Sequence, residues 1–97
     1  MPWLRARDVV VAAQPEEVLL HSVAVLRRLG ARITRYDADE GTAEARLRRF
    51  TRPALIRLRA RAQGADATLL HVESDALAWT PVFRRFRGDL LLLERRT

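Results

Sequence analysis

The chain has 97 residues, of which 48% are hydrophobic, and this composition supports one domain spanning residues 1–97 with a single core. It contains no cysteine, which excludes disulfides, thiolate metal sites and thiol nucleophiles. The formal net charge is +6, and all 18 basic residues are arginine, so an anionic partner has to be considered.

The first predicted elements are a strand over about residues 3–12 and the helix that follows it. Residues 4–11 combine β-favouring apolar residues with arginines, as expected for a half-exposed strand. Pro15 and the two glutamates after it suit the first turn of a helix, and Arg27 and Arg28 suit its last turn. Gly30 then fits the left-handed position that commonly ends a helix.

Four further strands are predicted from alternating apolar and charged residues. Residues 31–37 and 42–50 form a hairpin whose turn contains Gly41, and the next strands cover about 54–62 and 67–75. In each of the last three strands, one side is apolar and the other carries charges. This period of two is typical of a sheet with one solvent-exposed face.

A closing helix completes the predicted order, β-α-β-β-β-β-α. Thr80 is the expected N-cap and Pro81 the first helical residue. The helix carries an apolar stripe made by Val82, Phe83, Phe86, Leu90 and Leu93. The expected fold is a two-layer α+β domain, in which an antiparallel five-stranded sheet has both helices on one face.

This element order resembles the TATA-binding-protein half-domain, the helix-grip ligand-binding proteins and the C-terminal domain of phosphoglucomutases. The stretch LGARITRYDADEGTAEARLRRF, residues 29–50, and the strands up to Asp75 are similar to small uncharacterised bacterial domains. Those domains share a helix, an LGW motif, a strand, an acidic hairpin with glycine and an alanine-rich strand. The resemblance implies a fold and no defined activity, so no functional residue is transferred.

The exposed side of the strands contains the main candidate site. Hairpin pairing predicts Arg57 opposite Glu73 and Arg59 opposite His71, with Glu44 beside Arg59 and Arg46 beside Arg57. Two interpretations remain open, a structural ladder of cross-strand charges or a surface that binds an anion or a protein partner. The candidate residues are Arg46, Arg57, Arg59, Arg61, His71 and Glu73.

Catalysis and metal binding are not expected on this face. His71, Glu73 and Asp75 alternate along one strand, which places positions 71 and 75 about 13 Å apart, too far to share one metal ion. His21 is predicted on the solvated side of the first helix, and Tyr36 among the exposed residues of the sheet. We therefore expect no catalytic residue, no metal and no cofactor.

The closing helix has an alternative basic surface. Its arginines are Arg84, Arg85, Arg87, Arg95 and Arg96. With a sequence pI near 11.5, the protein is expected to bind nucleic acid weakly and without sequence preference at low salt. No glycine-rich phosphate loop and no run of exposed aromatic residues predicts specific recognition.

The sequence thus predicts a small non-catalytic interaction module that forms a homodimer through its Arg/Glu-patterned sheet face. An alternative is a small apolar ligand held between the sheet and the closing helix. The longest apolar runs are far shorter than a membrane span, and the first residues make a poor signal peptide, so a cytoplasmic location is expected. The use of arginine without lysine or asparagine indicates a GC-rich bacterial genome.

Overall fold

Five strands and two α-helices follow one another in the predicted order in the computed structural model, which describes residues 5–48, 53–75 and 79–96. Residues 49 and 50, at the predicted end of the third strand, lie outside these ranges. The elements are β1 (Arg5–Val11), α1 (Pro15–Arg28), β2 (Ala31–Asp37), β3 (Thr42–Leu47), β4 (Ala54–Ala62), β5 (Thr68–Ser74), α2 (Trp79–Leu91) and a terminal 3₁₀ helix (Leu92–Arg96).

The strands form one antiparallel sheet in the order β1-β5-β4-β3-β2. Both helices cover the same face of this sheet, because α1 contacts β2 to β5 and α2 contacts α1 and β1. The predicted α+β fold class is therefore confirmed. The core lies between the two layers, and the buried residues of the strands are Val9, Val11, Ala31, Ala43, Ala45, Leu47, Ala54, Ile56, Leu58, Ala60, Thr68, Leu70, Val72 and Ser74.

Local sequence signals account for both ends of α1. Pro15 lies in the first turn, where its missing N–H costs no helical hydrogen bond. Gly30 has φ +98°, so the predicted left-handed residue after the helix is confirmed. The buried hydroxyl of Ser22 donates to the carbonyl of Val18 at 2.6 Å, which satisfies its polar group inside the core.

The end of the chain differs from the prediction in two respects. Helix α2 begins at Trp79, so Thr80 lies inside the first turn and is not the N-cap. The chain then tightens into a 3₁₀ helix, which the apolar periodicity did not indicate. This turn brings Glu94 near the end of β1, where its carboxylate Oε2 accepts a hydrogen bond from the N–H of Ala12 at 2.8 Å.

Gly88 lies within α2, and its replacement by alanine is expected to stabilise the protein. A Cβ added at Gly88 would meet no heavy atom within 4 Å, and the residue is solvent-exposed. Because glycine is about 1 kcal/mol less favourable than alanine inside a helix, Gly88→Ala is expected to raise the free energy of unfolding by about 1 kcal/mol. Urea denaturation followed by circular dichroism measures this change, and an unchanged or lower stability would contradict it.

Candidate interaction surface on the outer sheet face

The face of the sheet opposite the helices, here called the outer face, is covered by no helix of the described ranges. Side chains point to it at every second position, because successive residues of a strand alternate between faces. The strand pairings assign these residues to it: Ala6, Asp8, Val10, Arg32, Arg35, Asp37, Thr42, Glu44, Arg46, Leu55, Arg57, Arg59, Arg61, Leu69, His71 and Glu73.

Four charged residues form a row across the sheet, here called the middle row. Arg35 pairs with Glu44, Glu44 with Arg57, and Arg57 with Glu73, so positive and negative side chains alternate over four strands. The two arginines are exposed and the two glutamates are half-buried. The predicted pairing of Arg57 with Glu73 is confirmed, as is that of Arg59 with His71.

The predicted neighbours on β3 were wrong by two residues. Glu44 lies beside Arg57 and not beside Arg59, while Arg46 lies beside Leu55 and not beside Arg57. An offset of two keeps every side chain on the same face, so alternation along each strand cannot detect it. The offset decides the chemistry, because it places Arg57 between two carboxylates in the middle row.

Three of the four charges of the middle row are not held in ion pairs. Within the described ranges, Arg35, Glu44 and Arg57 have no ion pair with an N–O distance within 4.0 Å, and neither has Arg59. The fourth charge, the carboxylate of Glu73, pairs with His71. Arg46 and Arg61 are also exposed. The arginines of the outer face and Glu44 are therefore neighbours in the sheet whose charged groups remain available to a binding partner.

His71 joins two carboxylates on this face. Its Nδ1 lies 2.6 Å from Oδ1 of Asp8, and its Nε2 lies 3.1 Å from Oε1 of Glu73. Both ring nitrogens can donate only when the imidazole is protonated, so the arrangement suits an imidazolium held between two acids. A ring with both nitrogens engaged offers no free general base to a substrate.

This cluster also lacks the geometry of a metal site. The carboxylates of Asp8 and Glu73 contact opposite nitrogens of one ring, so they do not converge on a common point. In the ranges that the structure describes, no group of three or more metal-ligating side chains is found. Sequence reasoning missed Asp8, since only the pairing of β1 with β5 brings it to His71.

The alternative basic surface lies on another part of the molecule. Arg84, Arg85 and Arg87 are exposed on α2, whose buried residues face the sheet from its helical side. Arg95 and Arg96 lie in the 3₁₀ helix. The arginines of α2 and those of the outer face thus belong to separate surfaces, which substitutions can test one at a time.

Tyr36 and His21 lie in surroundings that differ from the prediction. Tyr36 is exposed, but a register shift between Ile33 and Arg35 changes the parity of β2, so it pairs with the buried Ala43 and lies on the helical side of the sheet instead of the outer face. There it borders a cavity of about 400 Å³ beside the start of α1. His21 is half-buried, and its Nε2 lies 3.4 Å from the carbonyl oxygen of Asp89 in α2.

Comparison with protein-family models and with curated proteins finds no match for this chain. No helix in the described part of the chain combines the length and the apolar character needed to cross a membrane.

Proposed function

We propose that this protein is a non-catalytic interaction module that forms a homodimer through the outer face of its sheet. The proposal rests on one observation, the alternating middle row of Arg35, Glu44, Arg57 and Glu73. Among the described residues, Arg35, Glu44 and Arg57 make no ion pair within one copy, and Glu73 pairs with His71. A second copy has the same alternation, and a surface with alternating charges can be self-complementary under two-fold symmetry. No cofactor and no metal are assigned to this function.

The dimensions of the outer face bear on the strength of this association. Five strands spaced by about 4.8 Å and seven residues rising about 3.3 Å each give a face of roughly 20 by 20 Å. That is small compared with a stable interface, which buries about 800 Å² on each partner. The expected dimer is therefore weak and reversible, and charged pairs contribute much of its specificity.

Anion binding is the alternative that the outer face supports less well. Six arginines lie on it, but they share it with four carboxylates, those of Asp8, Asp37, Glu44 and Glu73. The carboxylates offset most of the positive charge, so the face attracts a polyanion more weakly than its arginines alone would. Weak binding of nucleic acid remains a prediction for the arginines of α2.

The hypothesis of an apolar ligand beneath α2 is also less well supported. Phe86 and Leu90 are fully buried there and Phe83 is nearly so, which places large side chains in the space that such a ligand would need. The cavity beside Tyr36 lies at the start of α1, away from this position.

Sedimentation equilibrium tests the proposed dimer. We expect the wild-type protein to pass from monomer to dimer as its concentration rises, and the dimer to weaken with added salt because exposed charges are screened. Arg57→Ala on the outer face should weaken the dimer, whereas Arg85→Ala on α2 should leave it unchanged. A protein that stays monomeric at every concentration, or a larger effect of Arg85→Ala, would contradict the proposal.

A further inference from the structure

The order of charges on the outer face selects one arrangement of two copies. We infer that the second copy is related by a two-fold axis that runs parallel to the strands, between β3 and β4. Glu44 of each copy then faces Arg57 of the other. This inference rests on the proposed function, and it specifies which residues of the second copy complete the surface.

The middle row is complementary to itself in this arrangement. Rotation about an axis parallel to the strands reverses the strand order, but keeps each cross-strand row at its own level. The row Arg35, Glu44, Arg57, Glu73 therefore faces itself in reverse order. Arg35 faces Glu73 of the second copy, and Glu44 faces Arg57, so four pairs of opposite charge form across one dimer.

The neighbouring row on one side agrees with the same axis. It contains Asp37, Thr42, Arg59 and His71 in the order of the strands. The reversed strand order places Asp37 opposite His71 of the second copy and Thr42 opposite Arg59 of the second copy. A carboxylate thus meets the imidazole that Asp8 already contacts, and a hydroxyl oxygen meets a guanidinium group.

The row on the other side agrees as well. It begins with Arg32, Arg46 and Leu55, and it continues to Asp75, whose N–H lies 3.4 Å from the carbonyl oxygen of Leu55. The reversed strand order places Arg32 opposite Asp75 of the second copy. It also lays the aliphatic part of Arg46 against Leu55, a contact that arginine stems make readily.

Other two-fold axes bring like charges together. An axis along β4 places Arg57 opposite itself. An axis across the strands, between the levels of Arg57 and Arg59, places these two arginines opposite each other. Axes parallel to the strands between β2 and β3 or between β4 and β5 form only two pairs of opposite charge in the middle row, and they place Arg32 opposite Arg46 or Arg59 opposite His71. Like charges in direct apposition disfavour an interface, so among these arrangements the axis between β3 and β4 gives the best complementarity.

The pairs nearest the axis should contribute most. Two face-packed sheets lie about 10 Å apart, and their twist turns the strands by about 30° relative to each other. Side chains far from the axis therefore diverge, while Glu44 and Arg57 flank the axis and stay in register. Glu44 and Arg57 are therefore the residues whose charges should be reversed in a test.

Charge reversal on separate chains gives that test. Glu44→Arg alone and Arg57→Glu alone each create two like-charge contacts per dimer, so each homodimer should weaken by about tenfold or more. The first chain then has arginine at both positions and the second has glutamate at both. Their equimolar mixture should form a heterodimer with an affinity close to that of the wild type, measured by sedimentation equilibrium with one chain fluorescently labelled.

Glu40→Arg and Arg85→Glu are the matched controls, since Glu40 lies exposed in the β2–β3 turn and Arg85 exposed on α2. Their mixture carries the same net charges and should show no preference for the heterodimer. Circular dichroism first establishes that every variant is folded. If a reversed chain is unfolded, Glu44→Gln and Arg57→Gln replace the pair, and each should weaken the dimer measurably.

The outcomes separate this inference from the proposed function. A wild-type protein that is always monomeric overturns both. A wild-type dimer with no selective heterodimer in the Glu44→Arg and Arg57→Glu mixture overturns the axis between β3 and β4, and leaves association through the outer face in place. Unchanged affinity of the two glutamine variants overturns the axis in the same way.

Discussion

Replacing Phe86 by alanine is expected to lower the free energy of unfolding by about 3–5 kcal/mol. The Phe86 side chain is 0% exposed, and its ring lies 6.4 Å from that of Phe83, centroid to centroid, within the layer that joins α2 to the sheet. Its removal leaves a cavity that closely packed neighbours cannot fill. Because small domains have a total stability of about 5–15 kcal/mol, this loss would bring the protein near to unfolding at room temperature.

Urea denaturation monitored by circular dichroism measures the effect of Phe86→Ala. The control is Leu92→Ala at the start of the 3₁₀ helix, where the leucine is 47% exposed. A surface substitution of this kind should change the stability by about 0.5 kcal/mol or less. Equal losses for the two variants would show that Phe86 is not the buried anchor that connects α2 with the sheet.

Gly41→Ala is expected to cost about 2–3 kcal/mol. Gly41 has φ +70°, a conformation that costs a residue with a Cβ roughly 1–2 kcal/mol. The added Cβ would also lie 2.7 Å from the carbonyl oxygen of Ala60, which belongs to the backbone of β4. Relief of this clash has to disturb the hydrogen bond that Ala60 N–H donates to the Gly41 carbonyl at 2.8 Å, worth about a further 1 kcal/mol.

Gly64→Ala separates the two causes of the loss at Gly41. Gly64 has φ +75°, similar to Gly41, but a Cβ built there meets no heavy atom within 4 Å. It should therefore cost only the roughly 1–2 kcal/mol of the left-handed conformation. Comparison of the two urea denaturation curves isolates the contribution of the contact with β4, and a cost at Gly64 equal to that at Gly41 would refute it.

Phe86→Ala and Gly41→Ala are also controls for the measurements of dimer formation. Phe86 is buried between the layers, and Gly41 lies in the turn that follows β2, so neither side-chain change adds or removes a charge on the outer face. Under conditions where these variants remain folded, their monomer–dimer equilibrium should match that of the wild type. Effects of Arg57 or Glu44 variants on the dimer can then be attributed to the outer face and not to a loss of stability.

The number and order of the strands and α-helices followed from the sequence, because short-range chemistry decides them. Alternation with a period of two identifies strands, and Pro15 and Gly30 mark the ends of α1 through their own backbone preferences. Such signals need only a few neighbouring residues. The start of α2 was less well defined, since Thr80 and Pro81 are both acceptable inside a first turn as well as before one.

Side-chain parity also followed from the sequence, so Arg57, Arg59, Arg61, His71 and Glu73 were placed correctly on one face. Parity depends only on the pleat of each strand, which is a local property. For the same reason, the prediction failed for Tyr36, where the irregularity after Ile33 changes the face. A bulge arises from the way β2 pairs with β3, and no single residue of β2 indicates it in the sequence.

Beyond the β4–β5 hairpin, whose pairings the sequence predicted, only the tertiary structure decided which charges meet. The offset between β3 and β4 places Glu44 beside Arg57, and the return of β1 to the edge of β5 brings Asp8 to His71, 63 residues away along the chain. Both depend on how the apolar residues of the opposite face pack under the helices, which is a property of the whole core. The sequence by itself therefore determined a charged, two-sided sheet, while the packing of its core decided the order of the charges.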